Sequence, residues 1–453
     1  GVDIRAGNDI LVRRVEVSNT FPNANQDNTA VEGGASGIRA WGDTSRVTIE
    51  KCYTHDCDFR GIDIFSDVGF VTECVSTDNA DRGISCNQQH LQGTIDGNGI
   101  IIANNYATGG TFPAAGIVAR DGSTNVAILN NYVTPTTEGN QVRRGIALET
   151  HNHGVIAGNI VDATRMIRYG IQVNDAAEQV AVTNNVVYST SSNADNPRGG
   201  IAVFQGGSSG SDSIDTPADN VVISSNSVDI DNFQGLSAIA VLDGSTNVSI
   251  VGNFAQAANR NQVQIRDSSG NVSVVGNTIE SLGSGSGVAV QGSNGNFAVV
   301  GNTVLNAAGA GVFGNNGQGF IVSGNLIQSP GSFGVNFNGG SWALVSGNVI
   351  QDAGGDGVAT SATSGMVANN IIQSTANNGI HYRNTASDTH FRRNFIRNTT
   401  NATWVIDSSD GTFQGNIPDP GTAAPNGSPV NGEAVESASA ESPQGSYPTG
   451  TLV

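Results

Sequence analysis

The sequence has almost no lysine and little basic charge of any kind. Lys51 is the only lysine among 20 basic residues, whereas aspartate and glutamate number 39, which gives a formal net charge of −19 and a pI near 4.5. A protein with this charge is repelled by polyphosphates and by anionic lipid surfaces. The composition therefore predicts neither a nucleic acid nor an anionic membrane as a partner.

An acidic surface almost without lysine is similar to the surfaces of proteins from extreme halophiles, whose carboxylates hold water and salt. The composition therefore favours an origin in a halophilic archaeon or in a virus of one, with an ordinary acidic secreted protein as the alternative. On either interpretation we expect the chain outside the cell, or at the surface of a cell or virion.

Long apolar runs are also missing. No segment approaches the roughly 20 apolar residues that a membrane-spanning helix needs, so no membrane span is predicted. The chain begins within a strand-like pattern, IRAGNDILVRRVEV, without a signal peptide or a polar cap. This start predicts a processed or trimmed N terminus.

The chain has no leucine-rich or helical pattern. It repeats two short strand motifs. The first motif is V-x-V-x-G-N-x-[VI], and its asparagines are Asn105, Asn131, Asn159, Asn185, Asn226, Asn253, Asn277, Asn302, Asn325, Asn348, Asn370, Asn394 and Asn416. The second motif is G-[IV]-x-[VAI], and it opens at Gly37, Gly61, Gly83, Gly116, Gly145, Gly170, Gly200, Gly287, Gly311, Gly334, Gly357 and Gly379. Successive asparagines are 22 to 28 residues apart except between Asn185 and Asn226, and self-similarity at such a period indicates a solenoid.

The residues of the repeat select the kind of solenoid. Leucine is sparse, which argues against leucine-rich repeats, and valine, isoleucine, glycine, asparagine and serine dominate with period-2 alternation. This pattern predicts an all-β, right-handed parallel β-helix of about 14 coils that stack about 4.8 Å apart. The recurrent asparagines are expected to form a ladder of amide bonds from coil to coil.

The four cysteines all lie early in the chain. Cys52 and Cys74 fall in the column that later holds the asparagines, and Cys86 aligns with the inward Ile64. Buried free thiols are one interpretation. A disulfide between Cys52 and Cys74 is the other, although parallel Cβ vectors suit such a bridge poorly. The spacing of the four does not resemble a zinc site.

The domain organisation follows the repeat. Residues 1–417 are predicted to form one β-helix, whose turns swell into loops over residues 1–235 and are short over residues 236–417. Insertions gathered in a few repeats usually mark the working region of a solenoid, so the first half is where we expect the site. Residues 418–453 are rich in Pro, Gly, Ser and Glu and are predicted to be a linker or tail.

Parallel, in-register coils allow the outward positions of the glycine-opened strands to be read as columns. Two residues after each glycine come Arg39, Asp63, Ser85, Val118, Ala147, Gln172 and Ala202, and four residues after come Trp41, Phe65, Asn87, Arg120, Glu149, Asn174 and Phe204. Trp41 and Phe65 are expected to form an exposed aromatic step that suits the faces of sugar rings. The alternative is that Arg39 pairs with Asp63 and Arg120 with Glu149, while the aromatic rings cover the end of the solenoid.

A row of arginines precedes the same strands. Arg60, Arg82 and Arg144 each stand directly before the glycine, and Tyr169 takes this place in the next coil. Stacked guanidinium groups repel one another, so the row suggests an anionic partner such as uronate or sulfate groups. The alternative is that each arginine bonds a turn carbonyl or pairs with an aspartate such as Asp56, Asp58 or Asp81.

The repeat resembles the right-handed β-helix superfamily, which includes pectate lyases, alginate lyases, mannuronan epimerases, polygalacturonases and viral tailspikes. The resemblance extends over nearly all of residues 1–417. It implies the fold but little chemistry, because the sequence lacks the D-P-H-R of the epimerases and the paired aspartates of the polygalacturonases. The clustered calcium-binding carboxylates of the pectate lyases are not evident either, so no cofactor is expected, with calcium left open.

The enzyme classes can be ranked on physical grounds. A glycoside hydrolase needs two carboxyl groups about 5 to 9.5 Å apart, and the outward Asp63 and Glu149 are three coils, about 14 Å, apart. Uronate lyases and epimerases need a cation and a base. Residues of these types on the predicted edge are Arg82, Arg144, His90, His151 and Tyr169 as catalytic candidates, and Trp41, Phe65, Arg60, Asp63, Arg120, Glu149 and Asn174 as substrate-binding candidates.

Two functions of different class remain from the sequence. The first is an extracellular protein that acts on an acidic polysaccharide or cell-surface glycan, as a lyase or a C5-epimerase. The second is a non-catalytic surface, adhesion or tailspike rod that assembles as a homotrimer or a larger surface array.

Overall fold

The computed structural model of the chain describes residues 1–20, 35–87, 99–108, 115–120, 123–135, 144–149, 152–164, 166, 168–190, 199–205, 217–230, 237–257, 260–267, 269–281, 283–292, 295–383, 388–402, 404–406, 412–414 and 416. The chain divides into two compact units, unit 1 (Gly1–Asn259) and unit 2 (Arg260–Val453). Secondary structure in the described ranges consists of strands and turns, with no helix, and therefore no helix that could cross a membrane.

The strands of unit 1 are β1 (Val2–Arg13), β2 (Glu16–Ser18), β3 (Ile38–Glu50), β4 (Tyr53–His55), β5 (Arg60–Ile64), β6 (Gly69–Thr72), β7 (Val75–Thr77), β8 (Arg82–Asn87), β9 (Ile100–Ala103), β10 (Tyr106–Thr108), β11 (Ala115–Arg120), β12 (Ala127–Leu129), β13 (Tyr132–Thr134), β14 (Arg144–Glu149), β15 (Asn152–Ala157), β16 (Ile160–Asp162), β17 (Tyr169–Asn174), β18 (Glu178–Thr183), β19 (Val186–Ser189), β20 (Gly199–Phe204), β21 (Asp219–Ser224), β22 (Ser227–Ile230), β23 (Ile239–Val241), β24 (Thr246–Val251) and β25 (Phe254–Ala257).

The strands of unit 2 are β26 (Val263–Arg266), β27 (Gly270–Val275), β28 (Thr278–Ser281), β29 (Val288–Gln291), β30 (Asn296–Val300), β31 (Thr303–Leu305), β32 (Val312–Asn315), β33 (Gly319–Ser323), β34 (Leu326–Gln328), β35 (Val335–Asn338), β36 (Ala343–Ser346), β37 (Val349–Gln351), β38 (Val358–Thr360), β39 (Gly365–Ala368), β40 (Ile371–Thr375), β41 (Ile380–Tyr382), β42 (Thr389–Arg392), β43 (Phe395–Thr399), β44 (Trp404–Ile406) and β45 (Thr412–Gln414).

Each coil contributes one strand to each of three parallel faces. In unit 1 the strands opened by the recurring glycine pair in the order β3, β5, β8, β11, β14, β17 and β20, and β23, which follows Ala238, pairs with β20. We call this row the glycine face. The glycine face of unit 2 runs through β26, β29, β32, β35, β38, β41 and β44. The predicted parallel β-solenoid is thus confirmed in both units.

The asparagine ladder is present as predicted. In unit 1 the Nδ2 of Asn105 donates to Oδ1 of Asn131 at 3.0 Å and to the carbonyl of Val71 at 3.0 Å, and the backbone N–H of Asn105 donates to the same Oδ1 at 2.9 Å. The same pattern continues to Asn253 in unit 1 and runs from Asn277 to Asn416 in unit 2. These buried amides stabilise the stack because nearly all their hydrogen-bonding groups are satisfied.

The residue before each ladder asparagine explains the Gly-Asn pair of the motif. From Asn105 to Asn394 this residue lies in the left-handed region, with φ of +67° at Gly158 and +64° at Gly301, and asparagine takes the place at Asn104 with φ of +59°. Glycine and asparagine tolerate this conformation at the lowest cost.

The glycine that opens each glycine-face strand is required by packing instead. A Cβ built on Gly145 would lie 2.4 Å from Cγ1 of Val161, and one on Gly334 would lie 2.4 Å from Cγ2 of Ile350. Val161 and Ile350 are the [VI] residues of the asparagine motif in their coils. The two sequence motifs are therefore the two sides of one interior contact.

The cysteines occupy the predicted places. The backbone N–H of Cys52 points to Sγ of Cys74 at 3.5 Å, and the N–H of Cys74 donates to Oδ1 of Asn105 at 2.9 Å, so both cysteines extend the asparagine column. Cys86 pairs in register with Ile64. All four thiols are free and buried, which supports the interpretation as small core residues over a disulfide.

Candidate functional site

The outer side of the glycine face in unit 1 carries most of the predicted site residues. The register of the strands agrees with the columns read from the sequence: Arg39 pairs with Asp63, Asp63 with Ser85, and Gln172 with Ala202. Arg60 likewise pairs with Arg82 at the strand start. The strands therefore align these side chains as expected.

Arg60 and Asp63 form a buried ion pair. Nη1 of Arg60 donates to both carboxylate oxygens of Asp63, at 2.9 and 2.8 Å, and both residues are almost fully buried. Nε of Arg60 also lies 3.5 Å from Asp81. Burial lowers the pKa of Arg60, but the charges of Asp63 and Asp81 outweigh burial and raise the pKa above its ordinary value. These two predicted substrate-binding residues are thus occupied with each other.

Arg82 is held in a less favourable environment. Its Nε lies 3.5 Å from Asp81, which it shares with Arg60, while its buried Nη1 has no hydrogen-bond partner among the described residues. Burial, followed by the charge of Arg60, lowers the pKa of Arg82 to about 9, with a further lowering by Arg120 and opposing effects of Asp81 and Asp63. Among the described residues, three guanidinium groups thus lie close to two carboxylates.

The predicted aromatic step is only half correct. Trp41 is partly exposed, and two guanidinium groups lie near its ring, that of Arg5 at 5.2 Å and that of Arg39 at 4.6 Å from the centroid. Its Nε1 donates to Asp3 at 2.5 Å. Phe65, in contrast, is only 7% exposed, and the guanidinium of Arg39 lies 5.3 Å from its centroid. Burial of Phe65 leaves Trp41 as the aromatic ring that a ligand could reach.

Further along the face the predicted residues are again paired or packed. Arg144 forms an ion pair with Glu149 across its own strand. Asn174 is buried and its Oδ1 accepts a bond from Gln172 at 2.7 Å.

Tyr169 was predicted as a catalytic residue. It is only 4% exposed, and its ring packs against Phe204 with a centroid distance of 5.6 Å. Its neighbours in this apolar cluster are Ala202, Ala240 and Leu242. The burial of Tyr169 argues for a packing role. The predicted His90 and His151 lie outside the described residues.

No group of three or more His, Cys, Asp or Glu side chains within the described ranges is placed to hold a metal ion. The described face of unit 1 thus offers partly buried cations and one accessible aromatic ring. Such a surface can bind carboxylate or sulfate groups through guanidinium hydrogen bonds and a sugar ring through stacking.

Sequence reasoning missed one polar cluster, which lies in unit 2. Asp356, His381 and Arg383 occupy the same three outer columns of the glycine face, directly before, two after and four after the glycine of their coils. The column alignment applied to the regular half would have revealed them as charged residues among small or amide side chains.

Solved structures with a similar path of the chain include both enzymes and a viral protein. A mutant of the periplasmic alginate epimerase AlgG is 13% identical with a TM-score of 0.46, and the match covers 80% of this chain and 84% of that one. A GH87 α-1,3-glucanase from Streptomyces thermodiastaticus is 13% identical with a TM-score of 0.47, covering 80% and 64%. Tailspike protein 3 of bacteriophage CBA120 is 8% identical with a TM-score of 0.41, covering 85% and 57%. Similarity at this level carries no information about activity.

No curated protein matches the chain in sequence. One family model does, and its description is "Right handed beta helix region". The matched residues are 1–139, 36–215 and 261–417, which together make up well over half of the chain. The protein therefore belongs to the right-handed β-helix family.

Proposed function

We propose that unit 1 binds an acidic polysaccharide along the outer side of its glycine face. The observation that carries the proposal is the proximity of Arg60 and Arg120 to Arg82, whose buried Nη1 has no hydrogen-bond partner in the part of the chain that the structure describes. A carboxylate or sulfate group beside Arg82 would relieve this repulsion and accept the missing bond.

The charge of the surroundings supports the same conclusion. Unit 1 has 14 basic and 28 acidic residues, so cations are scarce in it. Five of these cations nevertheless lie on one row of adjacent strands, where three carboxylates of the described residues lie within ion-pair distance of them. The cations are Arg39, Arg60, Arg82, Arg120 and Arg144, and the carboxylates are Asp63, Asp81 and Glu149. Concentrated positive charge on an acidic protein favours an anionic ligand at this place.

The half-exposed ring of Trp41 adds the second element of glycan recognition. The guanidinium groups of Arg5 and Arg39 restrain the ring, so little side-chain entropy is lost when a sugar stacks on it. A polymer of uronate or sulfated sugars presents both a flat ring face and a negative charge in every unit. Glycans of this class lie outside cells, which is where we place the protein.

The test compares a uronate polymer with its methyl-esterified form, which has the same backbone without the charge. The full chain is titrated with polygalacturonate, alginate and their esters by isothermal titration calorimetry in molar and in dilute salt. We expect binding of an acidic polymer that weakens as salt rises, and at least tenfold weaker binding of its ester. Equal binding of polymer and ester, or binding of neither, contradicts the proposal.

Arg82→Gln locates the contact. We expect this substitution to weaken binding about tenfold or more, because a charge-assisted hydrogen bond contributes about 1.5–3 kcal/mol. The matched control is Arg266→Gln in unit 2, which removes a half-exposed guanidinium paired with Asp267 at 2.7 Å. Unchanged binding in the Arg82 variant, or an equal loss in both variants, would refute the site. Binding without any chemical change of the polymer would support a non-catalytic surface protein.

A further inference from the structure

A strip of the outer surface of unit 1 carries no charged side chain. It lies where each coil passes from the row of β9, β12, β15, β18, β21 and β24 to the row of β10, β13, β16, β19, β22 and β25, and neither row is the glycine face. Four outward positions of this passage form columns through six consecutive coils, and we call them the neutral strip. The columns are Ile101, Ala127, Val155, Ala181, Val222 and Ser249; Ala103, Leu129, Ala157, Thr183, Ser224 and Val251; Asn104, Asn130, Gly158, Asn184, Ser225 and Gly252; and Tyr106, Tyr132, Ile160, Val186, Ser227 and Phe254.

The absence of charge matters because the chain as a whole is strongly acidic, with a formal net charge of −19. Carboxylates return at the borders of the strip, at Glu73 in the preceding coil and at Asp162 and Asp229, two residues beyond the strip on β16 and β22. Two copies of an acidic protein repel each other through their carboxylates. The neutral strip is therefore a surface at which two copies can meet without placing like charges in contact.

The strip also gathers the exposed apolar side chains of unit 1. Of the twelve large apolar side chains that are exposed in the described part of this unit, seven lie in the strip, each 37–42% exposed. The seven are Ile101, Tyr106, Val155, Ile160, Val186, Val222 and Val251. A contiguous apolar surface of this kind marks a place where a protein binds a partner.

Two tyrosine rings of the strip are held in place before any partner binds. The rings of Tyr106 and Tyr132 stack with their centroids 5.5 Å apart, and the hydroxyl oxygen of Tyr132 lies 3.2 Å from that of Tyr188. Restrained rings lose little side-chain entropy on association, and tyrosine is enriched in protein interfaces.

The strip has the dimensions of a small specific interface. Six coils about 4.8 Å apart extend about 29 Å, and the five-residue path from Ile101 to Tyr106 adds a width of about 16 Å. These dimensions give a flat area of about 460 Å² on each copy, or about 900 Å² for two copies in contact. Because the accessible surface of side chains exceeds the flat area, the contact reaches the roughly 1,000 Å² that a specific interface needs.

We propose that the neutral strip binds the neutral strip of a second copy of this chain and so forms a two-fold dimer. In a two-fold interface the same patch serves both copies and must be complementary to itself. The strip meets this condition because a column of bulky side chains, such as Tyr132 and Ile160, runs beside a column with small ones, such as Ala103 and Ala157. The bulky column of each copy packs onto the small column of the other, as in two sheets packed face to face.

Unit 2 has a less favourable version of the same surface. The corresponding positions in five coils, from Ser273 to Ile371, are also uncharged, but they include no aromatic side chain, and four of the five turn positions are glycine. Aromatic anchors contribute most of the binding energy in many interfaces. The contact is therefore assigned to unit 1.

The dimer is independent of the proposed glycan site. The glycine face contributes no residue to the neutral strip, so the row around Arg82 stays accessible in the dimer. Each dimer then presents two such rows, and a polymer long enough to reach both would bind with a higher apparent affinity. Arg82→Gln should dimerise like the wild type, so a failure of glycan binding and a failure of dimerisation are separate results.

The test measures the molecular mass of the full chain by sedimentation equilibrium over a wide range of protein concentration, in molar and in dilute salt. We expect the mass to rise with concentration from the 46.3 kDa of one chain towards twice that value. The dimer should be more stable in molar salt, which screens the acidic charges outside the strip. A chain that stays monomeric at every concentration, or a dimer that dissociates as salt rises, overturns the inference.

Matched valine variants locate the contact. Val155→Glu and Val186→Glu each place a carboxylate in the strip, and the two-fold axis brings in a second one, so each variant should weaken the dimer at least about 100-fold. The control Val68→Glu changes an exposed valine of unit 1 outside the strip and should leave the dimer unchanged. Thermal melting verifies that each variant is folded.

Ile371→Glu makes the same change in the neutral surface of unit 2 and should also leave the dimer intact. An equal loss of dimer in Val68→Glu and Val155→Glu would overturn the inference. Dimers that persist in both Val155→Glu and Val186→Glu, or that only Ile371→Glu dissociates, would overturn it as well.

Discussion

The interiors of units 1 and 2 are built from the same repeated contacts, and their outer faces differ. In both units the ladder amides, the left-handed residue before them and the contact between glycine and valine or isoleucine recur from coil to coil. The outer columns of unit 1 carry arginines paired with buried carboxylates, and those of unit 2 carry mostly small and amide residues around one Asp–His–Arg cluster. Stacking constrains only the residues that point inward or turn the chain, so the outward columns are free to differ in chemistry.

The buried carboxylates of the two faces are stabilised in different ways. Asp63 in unit 1 accepts two hydrogen bonds from the equally buried Arg60, and the guanidinium of Arg39 lies 3.8 Å away. Asp356 in unit 2 receives hydrogen bonds from two asparagines and a histidine, so no single partner neutralises it. The first arrangement should be sensitive to loss of one residue, and the second should not.

The largest effect is expected from Arg60→Met. This substitution removes both hydrogen bonds that Arg60 donates to the buried carboxylate of Asp63 and leaves it with the guanidinium of Arg39, 3.8 Å away, which should lower the free energy of unfolding by about 3 kcal/mol. Arg383→Met in unit 2 should cost about 1 kcal/mol or less, because Asp356 keeps its hydrogen bonds from Asn377, Asn378 and His381. Urea denaturation followed by circular dichroism measures both. The double variant Arg60→Met, Asp63→Leu should recover most of the loss, and equal effects of Arg60→Met and Arg383→Met would contradict the comparison.

A smaller effect, equal in the two units, is expected from Gly145→Ala and Gly334→Ala. Each new Cβ would meet a branched side chain at 2.4 Å and a backbone carbonyl at 2.5 Å, and such overpacking costs about 1–3 kcal/mol. Thermal melting of the two variants is the measurement. The control is Gly301→Asn, where nothing lies within 4 Å and asparagine suits the φ of +64°, so little change is expected. A lower melting temperature for only one of the two variants would show that the glycine contact does not limit packing equally in the two units.

The smallest effect is expected from salt. Unit 1 has an excess of 14 acidic over basic residues, with 28 against 14, and unit 2 an excess of five, with 11 against six. Repulsion among these charges is screened less in dilute salt, so unit 1 should lose more stability than unit 2 when salt is reduced from about 1 M to about 0.01 M. Tryptophan fluorescence separates the units, since Trp41 is in unit 1 and Trp342 and Trp404 are in unit 2.

Two variants make that separation measurable. Trp342→Phe with Trp404→Phe leaves a reporter in unit 1, and Trp41→Phe leaves reporters in unit 2. The melting midpoint of the first variant should fall further on dilution than that of the second. Midpoints that do not move with salt would disprove the halophilic interpretation of the composition.

The sequence by itself determined the repeat, the ladder and the register of the columns. These features follow from packing and turn requirements that recur every 22 to 28 residues. Each coil therefore repeats the same two motifs, and the motifs together indicate the fold. The pairing of Arg39 with Asp63 in register and the extension of the asparagine column by Cys52 and Cys74 could both be predicted for this reason.

Only the tertiary structure decided which outward side chains meet. The column of a residue gives the position of its Cα on the face and not the position of the end of its side chain. The long side chain of Arg383 crosses two coils and reaches Asn338, which is 45 residues away in the sequence. Burial likewise depends on all neighbours at once, which is why Phe65 was expected at the surface and lies beneath Arg39. The pairing of Asp356 with His381 joins two columns in adjacent coils, and this contact arises from side-chain reach across the face, which no repeat in the sequence encodes.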